Sequence, residues 1–227
     1  DAVKILARNV NVELKYDGNF NEEEKDFKDE YIKMQEIAEK HYHDLLINSA
    51  NGKKALDHLQ NDRGLSLDTI KEFNIGFAYK NKDDLLKLLE KKSYSIESMK
   101  QSSLVKDSEK WGDYDYFRSR IMFPWRNYFK ELLAFQGRRF PDYLEITKFS
   151  NTKDTRFFTK GKILWGLDKT KKYIIENKSL ILVEGQMDLV QLYENGIKNV
   201  AAIGGTSFTP YHATIVKNLS ENIFILM

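Results

Sequence analysis

Residues 179–207, SLILVEGQMDLVQLYENGIKNVAAIGGTS, decide how the carboxyl-terminal part of the chain folds. Leu180, Ile181, Leu182 and Val183 form an unbroken apolar run, the pattern of a short strand covered on both faces. The run stops at Glu184 and Gly185, so a carboxylate stands at the end of the strand. From Met187 the apolar spacing through Val190, Leu192 and Tyr193 turns helical, and Gly196 is well placed to end that helix. In an open α/β sheet, ligands sit in the crevice beyond the carboxyl ends of the strands. Glu184 and Asp188 therefore lie where oxygen ligands can hold a hard cation. Residues 200–203 are expected to form a second strand and Gly204 and Gly205 a close-approach turn. Thr209 and Pro210 then begin a helix carrying Ile215, Val216 and Leu219, before a third strand at 223–227.

Taken singly, a strand-end glutamate is ordinarily solvated, and an aspartate in a first helical turn ordinarily complements the helix dipole. The compound order is more specific: strand, Glu-Gly-x-x-Asp, helix, strand, Gly-Gly-Thr, helix, strand. It resembles the Toprim fold of primases, topoisomerases and related nucleases. That resemblance implies a catalytic role for Glu184 and magnesium held by neighbouring acids, and it leaves the reaction open.

The 227 residues, 41% of them hydrophobic, suffice for one large or two modest cores. There is no cysteine, which excludes disulfides and thiolate metal sites and sits easily with a reducing compartment. No signal peptide and no apolar run of membrane-spanning length is present, so a soluble, cytoplasmic protein without a membrane partner is expected. The net charge of +2 is unevenly spread: residues 118–172 hold 14 Lys and Arg against five Asp and Glu, or +9, leaving −7 for the remainder. Such segregation points to an anionic partner for the middle of the chain, with a merely solvated basic face as the alternative.

In chain order, Ala2, Val3, Ile5 and Leu6 begin an amphipathic segment that yields to a turn at Tyr16, Asp17 and Gly18. The acidic run at 22–30 reads as a solvated linker or helix start. Tyr31, Met34, Ala38, Tyr42 and Leu45 recur at helical steps and predict one long helix with this stripe in the core. His41 and His43, two apart, point to different faces and are poorly placed to share a metal. Gly64 reads as a helix stop beside Arg63, Ser66 as the next N-cap, and Asp83 or Asp84 as the start of a Leu-rich helix, followed by a polar stretch to Gly112. From Phe117 the period becomes strand-like: residues 121–123 and 132–135 are expected as paired strands, flanked by Arg118 and Arg120 on one side and Arg138 and Arg139 on the other. Next, Lys148, Asn151, Lys160 and Lys162 alternate with Phe149, Phe157, Phe158 and Trp165. The pattern suits single-stranded nucleic acid, although aromatics in the core beside solvated lysines is the reading preferred for those rings.

Six motifs then fall in one order: Arg-Gly-Leu-Ser with Phe-Asn-Ile-Gly-Phe-Ala (63–78), Arg-Ile-Met-Phe-Pro (120–124), Ala-Phe-Gln-Gly-Arg (134–138), Lys-Phe-Ser-Asn (148–151), Phe-Thr-Lys-Gly (158–161) and Glu-Gly-Gln-Met-Asp (184–188). Together they resemble the RNA polymerase domain of bacterial DnaG-type primases over nearly the whole chain. The resemblance implies an α/β protein, with an α+β amino-terminal subdomain at 1–159 and the start of a Toprim α/β sheet at 160–227. By it, Glu184 is the catalytic glutamate and, with Asp188, a metal ligand, while Arg63, Arg118, Arg120, Arg138, Lys148, Asn151 and Lys160 serve template and nucleotide. Gln136 departs from a common Gly-Gly-Arg, and Thr152-Lys153-Asp154 from Ser-Pro-Glu, which is expected to loosen the aim of Asn151 and Thr155.

The implied activity is synthesis of short RNA primers on a single-stranded DNA template from ribonucleoside triphosphates at a bacterial replication fork, with Mg2+ or Mn2+ as the cofactor. Zinc is implied only in an upstream module, and a replicative helicase only through a region outside this chain. An Asp-x-Asp pair is expected beyond the third strand, so the chain alone is expected to be inactive. Another Toprim enzyme, a topoisomerase or nuclease fragment, leaves the motifs from 63 to 161 unexplained. A non-catalytic single-stranded DNA-binding module leaves the strand-end acids without a task.

Overall fold

In the computed structural model, residues 22–110, 112–205 and 207–226 are described. The amphipathic segment at 2–6 and the turn at 16–18 lie outside them. The acidic run opens helix α1, Glu22–Asn48, whose buried stripe is Tyr31, Met34, Ala38, Tyr42 and Leu46. Leu46 takes the last core place expected of Leu45, which is only half-buried, because four-residue steps keep this face turned inward. Two ion pairs fasten the other side of α1 to later elements, Glu39 to Arg126 and Lys28 to Glu131. His43 Nδ1 is spent on the Ile75 carbonyl at 2.7 Å, and no group of three or more metal-ligating side chains exists among the described residues.

Helix α2, Lys53–Asp57, runs into a single π-helical turn, His58–Asp62, and Gly64 at φ +68° ends it. Ser66 then caps α3, Leu67–Glu72, by accepting from Thr69 N–H at 3.2 Å, and β1, Gly76–Ala78, follows. After α4, Asp84–Lys91, the stretch expected to be merely polar contains α5, Ile96–Gln101, and a hairpin of β2, Val105–Ser108, and β3, Gly112–Asp115. Of its apolar residues, Met99, Leu104 and Val105 are buried, and Tyr94 and Ile96 pack partly buried against them. Asp115 at the hairpin's end accepts from Leu85 and Leu86 N–H at 2.9 and 2.8 Å, pinning the start of α4.

Strands β4, Arg120–Arg126, and β5, Leu132–Arg139, are longer than their apolar stretches, so three of the arginines expected to flank them lie within the ladder. Arg120 pairs with Arg139 and Ile121 with Arg138. Backbone pairing continues as long as neighbours exist, and β1 on one side and β6, Phe149–Asn151, on the other complete an antiparallel sheet of order β1-β4-β5-β6.

The rest builds a second sheet. Helix α6, Leu167–Asn177, precedes β7, Ser179–Val183; α7, Gln186–Glu194, β8, Val200–Ala202, α8, Pro210–Leu219, and β9, Asn222–Leu226, then follow in the expected alternation. The sheet is parallel, with β7 central between β8 and β9. Thr209 caps α8 by accepting from His212 N–H at 3.2 Å, and Pro210 fills its first position. The molecule is thus a mixed α/β fold, an α+β part followed by a partial Toprim-like sheet. The two parts share a core: Trp165 bridges to Ala202 of β8 while its indole N–H donates to the Pro124 carbonyl of β4 at 2.7 Å. No helix among the described residues is long and apolar enough to cross a membrane.

The aromatic and basic segment divides differently from the expectation. Phe158 and Trp165 are core and Phe157 is half-buried, but Phe149, on the three-residue edge strand β6, is 47% exposed. Lys160, expected to serve template or nucleotide, is only 8% exposed at the junction of the two sheets.

Candidate active site at the junction of the two sheets

Strand β7 ends at Val183, and the chain turns through Glu184 and Gly185 into α7. The Glu184 main-chain carbonyl accepts from Gly204 N–H at 2.8 Å and Gly205 N–H at 3.2 Å, so the glycine turn after β8 holds this turn in place. Gly204, at φ +83°, lies against the ring of Trp125 so closely that a Cβ would overlap it. Asp188 turns back, its Oδ2 accepting from Gly185 N–H at 3.0 Å, a local cap that fixes one carboxylate oxygen at the start of α7. A Cβ on Gly185 would lie 3.0 Å from that oxygen, a tight contact that the carboxylate would have to relieve by shifting.

Across from the acids stands the edge of the first sheet. A cavity of about 280 Å³ between them is bordered by Glu184 and Asp188 on one side and by Arg63, Arg138, Lys148 and Asn151 on the other. Six of the nine residues singled out from the sequence therefore meet in one place. The acids also border an open cleft with Gln191, Leu192, Asn195 and Leu226. Each cation has its own support. Arg63, just past the π-helical turn, is steadied through Nε by His58 Nε2 at 3.4 Å, and His58 Nδ1 in turn faces Asp62 at 2.7 Å. Arg138 pairs with exposed Asp142 at 3.4 Å, and the Lys148 ammonium lies 5.4 Å from the Phe149 ring centre.

The other three stand apart from this cavity. Arg120 is buried, and its guanidinium donates to the carbonyls of Gly137 at 3.2 Å and Thr147 at 3.0 Å and to Thr147 Oγ1 at 3.2 Å. It ties the loop before β6 to the sheet, and burial lowers its pKa. Arg118 lies over the Tyr114 ring at 4.9 Å. Lys160 sits just behind the glycine turn, Nζ 3.4 Å from the Gly205 carbonyl and 5.7 Å from the Trp125 ring centre, with its pKa lowered by burial.

The segment replacing the expected Ser-Pro-Glu is firmly held. Thr152 Oγ1 accepts from Phe135 N–H at 2.9 Å, Asp154 Oδ1 from Lys160 N–H at 3.2 Å, and Thr155 Oγ1 from Phe158 N–H at 3.1 Å. Side-chain acceptors do here what a proline's fixed φ does elsewhere. Sequence reasoning overlooked Gln186. It borders the cavity, is buried, and its amide nitrogen finds no partner among the described residues. Nothing in its spacing distinguishes it from any first helical residue.

Residues 41–171 match the family described as the DNA primase catalytic core, N-terminal domain, and residues 181–227 match a Toprim-like family. The chain belongs to the bacterial DnaG-type primases. It is 34% identical to the DNA primase of Staphylococcus epidermidis over 230 aligned positions, which take in all of this chain and 38% of that protein. The chain thus spans well under half the length of the curated primases it matches. A DnaG primase catalytic domain solved bound to single-stranded DNA superposes with a TM-score of 0.79 at 28% identity, covering 88% of this chain and 62% of that one. The RNA polymerase domain of the Mycobacterium tuberculosis primase superposes at 0.78 and 26% identity, covering 84% and 61%.

Proposed function

We propose that this chain carries the nucleotide-joining site of a primase, which holds a single-stranded DNA template and ribonucleoside triphosphates against Glu184 and Asp188 for synthesis of short RNA primers. The observation that carries the reading is the single cavity in which Arg63, Arg138 and Lys148 face Glu184 and Asp188. The division between the two parts at 159/160 belongs to this reading, and the pairing of Trp165 with the Toprim-like sheet supports it.

In this reaction a ribonucleotide 3′ hydroxyl attacks the α-phosphorus of a triphosphate and pyrophosphate leaves. Arg63, Arg138 and Lys148 hold phosphate oxygens as charge builds on them, and the arginines add two-pronged geometry. Lys148 beside exposed Phe149 offers charge together with a stacking face, the combination that suits an unpaired base and its phosphate. Glu184 and Asp188 supply only oxygen donors. That set fits Mg2+ or Mn2+, which complete their shells with water and substrate phosphate, better than it fits zinc. Such an ion, when bound, would supply electrostatic stabilisation of the attacking and leaving oxygens. Glu184, without a side-chain partner among the described residues, would present its carboxylate to it, and Asp188 the oxygen not committed to Gly185.

The test is binding of a fluorescent 16-nucleotide oligothymidylate and of GTP by the chain and its Lys148→Ala and Arg63→Ala variants. Weakened binding of either probe supports the reading, and unchanged binding of both by both variants rejects the cavity as the site.

A further inference from the structure

Between the two halves of the site lies Gln136 of β5, 3% exposed, where the family resemblance calls for glycine. Its Nε2 is 3.1 Å from the Gly204 carbonyl oxygen and 2.9 Å from Asn151 Oδ1. A main-chain carbonyl only accepts, so the Gln136 atom facing it must be the amide nitrogen. The same nitrogen faces Asn151, so the Asn151 atom meeting it must be the carbonyl oxygen. The Asn151 NH2 group is therefore turned away from Gln136, and Asn151 borders the cavity that holds Arg138, Lys148 and Glu184. One fixed carbonyl settles the orientation of two amides in succession.

The same turn is bound to the catalytic side. Gly204 donates its N–H to the Glu184 carbonyl while its own carbonyl takes the Gln136 proton. Asn151, Gln136, Gly204 and Glu184 form one hydrogen-bonded series running from the edge strand of the first sheet to the acid turn of the second. We infer that Gln136 is a positioning residue, which sets the Asn151 amide as a hydrogen-bond donor to a phosphate or sugar oxygen and holds it in register with Glu184 across the junction. This rests on the site proposed above. The oxygen belongs either to the template strand or to the incoming nucleotide, which share that chemistry.

The experiment compares Gln136→Met, Asn151→Ala and the double variant with the parent chain, using the 16-nucleotide oligothymidylate in one arm and GTP in the other. Methionine keeps length and loses both donors. Each single variant is expected to weaken the same arm by about threefold to tenfold, the span of one neutral hydrogen bond, and the double variant no further. A loss confined to the oligonucleotide arm assigns the oxygen to template, and one confined to GTP assigns it to the nucleotide. In the oligonucleotide arm the slope of log affinity against log salt is expected to stay at the parent value, because neither side chain is charged. A merely structural role would collapse the cavity and lower that slope as Lys148 and Arg138 lose their phosphates. Additive losses, a lowered slope, or a Gln136→Met variant that binds both probes normally would overturn the inference. Should the Met variant not fold, Gln136→Gly puts back the residue that the family resemblance calls for and removes the donors. Parental binding of both probes by that variant would equally overturn it. Lys148→Ala is run alongside. If it weakens binding while Gln136→Met does not, only the positioning role fails; if neither it nor Asn151→Ala has any effect, the site itself is wrong and the positioning role falls with it.

Discussion

Replacing Gly204 by alanine imposes two costs on one turn. The backbone there is left-handed at φ +83°, which costs an L-residue about 1–2 kcal/mol. The added Cβ would also overlap Trp125 Cη2 and lie 3.1 Å from both Trp125 Cζ2 and Gln186 Nε2. Trp125 has nowhere to go, since it is fully buried with the Phe158 ring packed edge-on at 5.4 Å. Overpacking of this kind adds about 1–3 kcal/mol, so the total is about 2–5 kcal/mol. Gly196 is the matched control, with φ +84° and nothing within 4 Å of its Cβ position, and Gly196→Ala should cost only the conformational part. Urea unfolding of both variants measures the difference as a shift in midpoint at constant m-value. A Gly204→Ala variant no less stable than Gly196→Ala would refute the close approach of the glycine turn to Trp125, and with it the account of how Glu184 is held.

Other outcomes follow from charge and burial. Lys148→Ala should lower the salt slope of oligothymidylate binding by roughly 0.7, the value of one single-strand phosphate contact, and Arg138→Ala by less because Asp142 already competes for its guanidinium; equal slopes for parent and both variants would mean that neither side chain meets phosphate. Burial pushes the Asp115 carboxyl up to about 7 from its ordinary 3.8, although its two N–H bonds pull the other way. A raised folded pKa makes the native state bind the extra proton, so this group's stabilisation is complete below about pH 4 and is lost as pH rises through about 7, a span on the order of 4 kcal/mol. Unfolding free energies across that range should fall with pH more steeply for the parent than for Asp115→Asn, and parallel profiles would contradict the burial argument.

The Toprim-like half was legible almost residue by residue. Its strands are parallel and β7 and β8 are largely buried, so Leu180 to Val183 and Val200 to Ala202 stand out as apolar runs bounded by glycine or acid. The arginine-bearing strands were harder, because Arg120, Arg138 and Arg139 are polar residues whose pairing is decided by neighbouring backbone rather than by their own pattern. Lys148, Asn151, Glu184 and Asp188 could be named from motif order, but motif order does not report burial. It gave Arg120 the same standing as Lys148, although backbone carbonyls occupy the Arg120 guanidinium. Gln136 was visible only as a departure from glycine. What it does depends on Gly204, 68 residues away, and no local pattern carries that information.

Glu184→Gln in the longest polypeptide that the gene encodes tests the central claim most directly, with primer synthesis on single-stranded DNA in magnesium measured beside oligothymidylate binding. The substitution removes one charge from a side chain without hydrogen bonds among the described residues and leaves the main-chain bonds to Gly204 and Gly205 in place. The account predicts that synthesis is lost while template affinity stays at the parental value. Primer synthesis at the parental rate would contradict it.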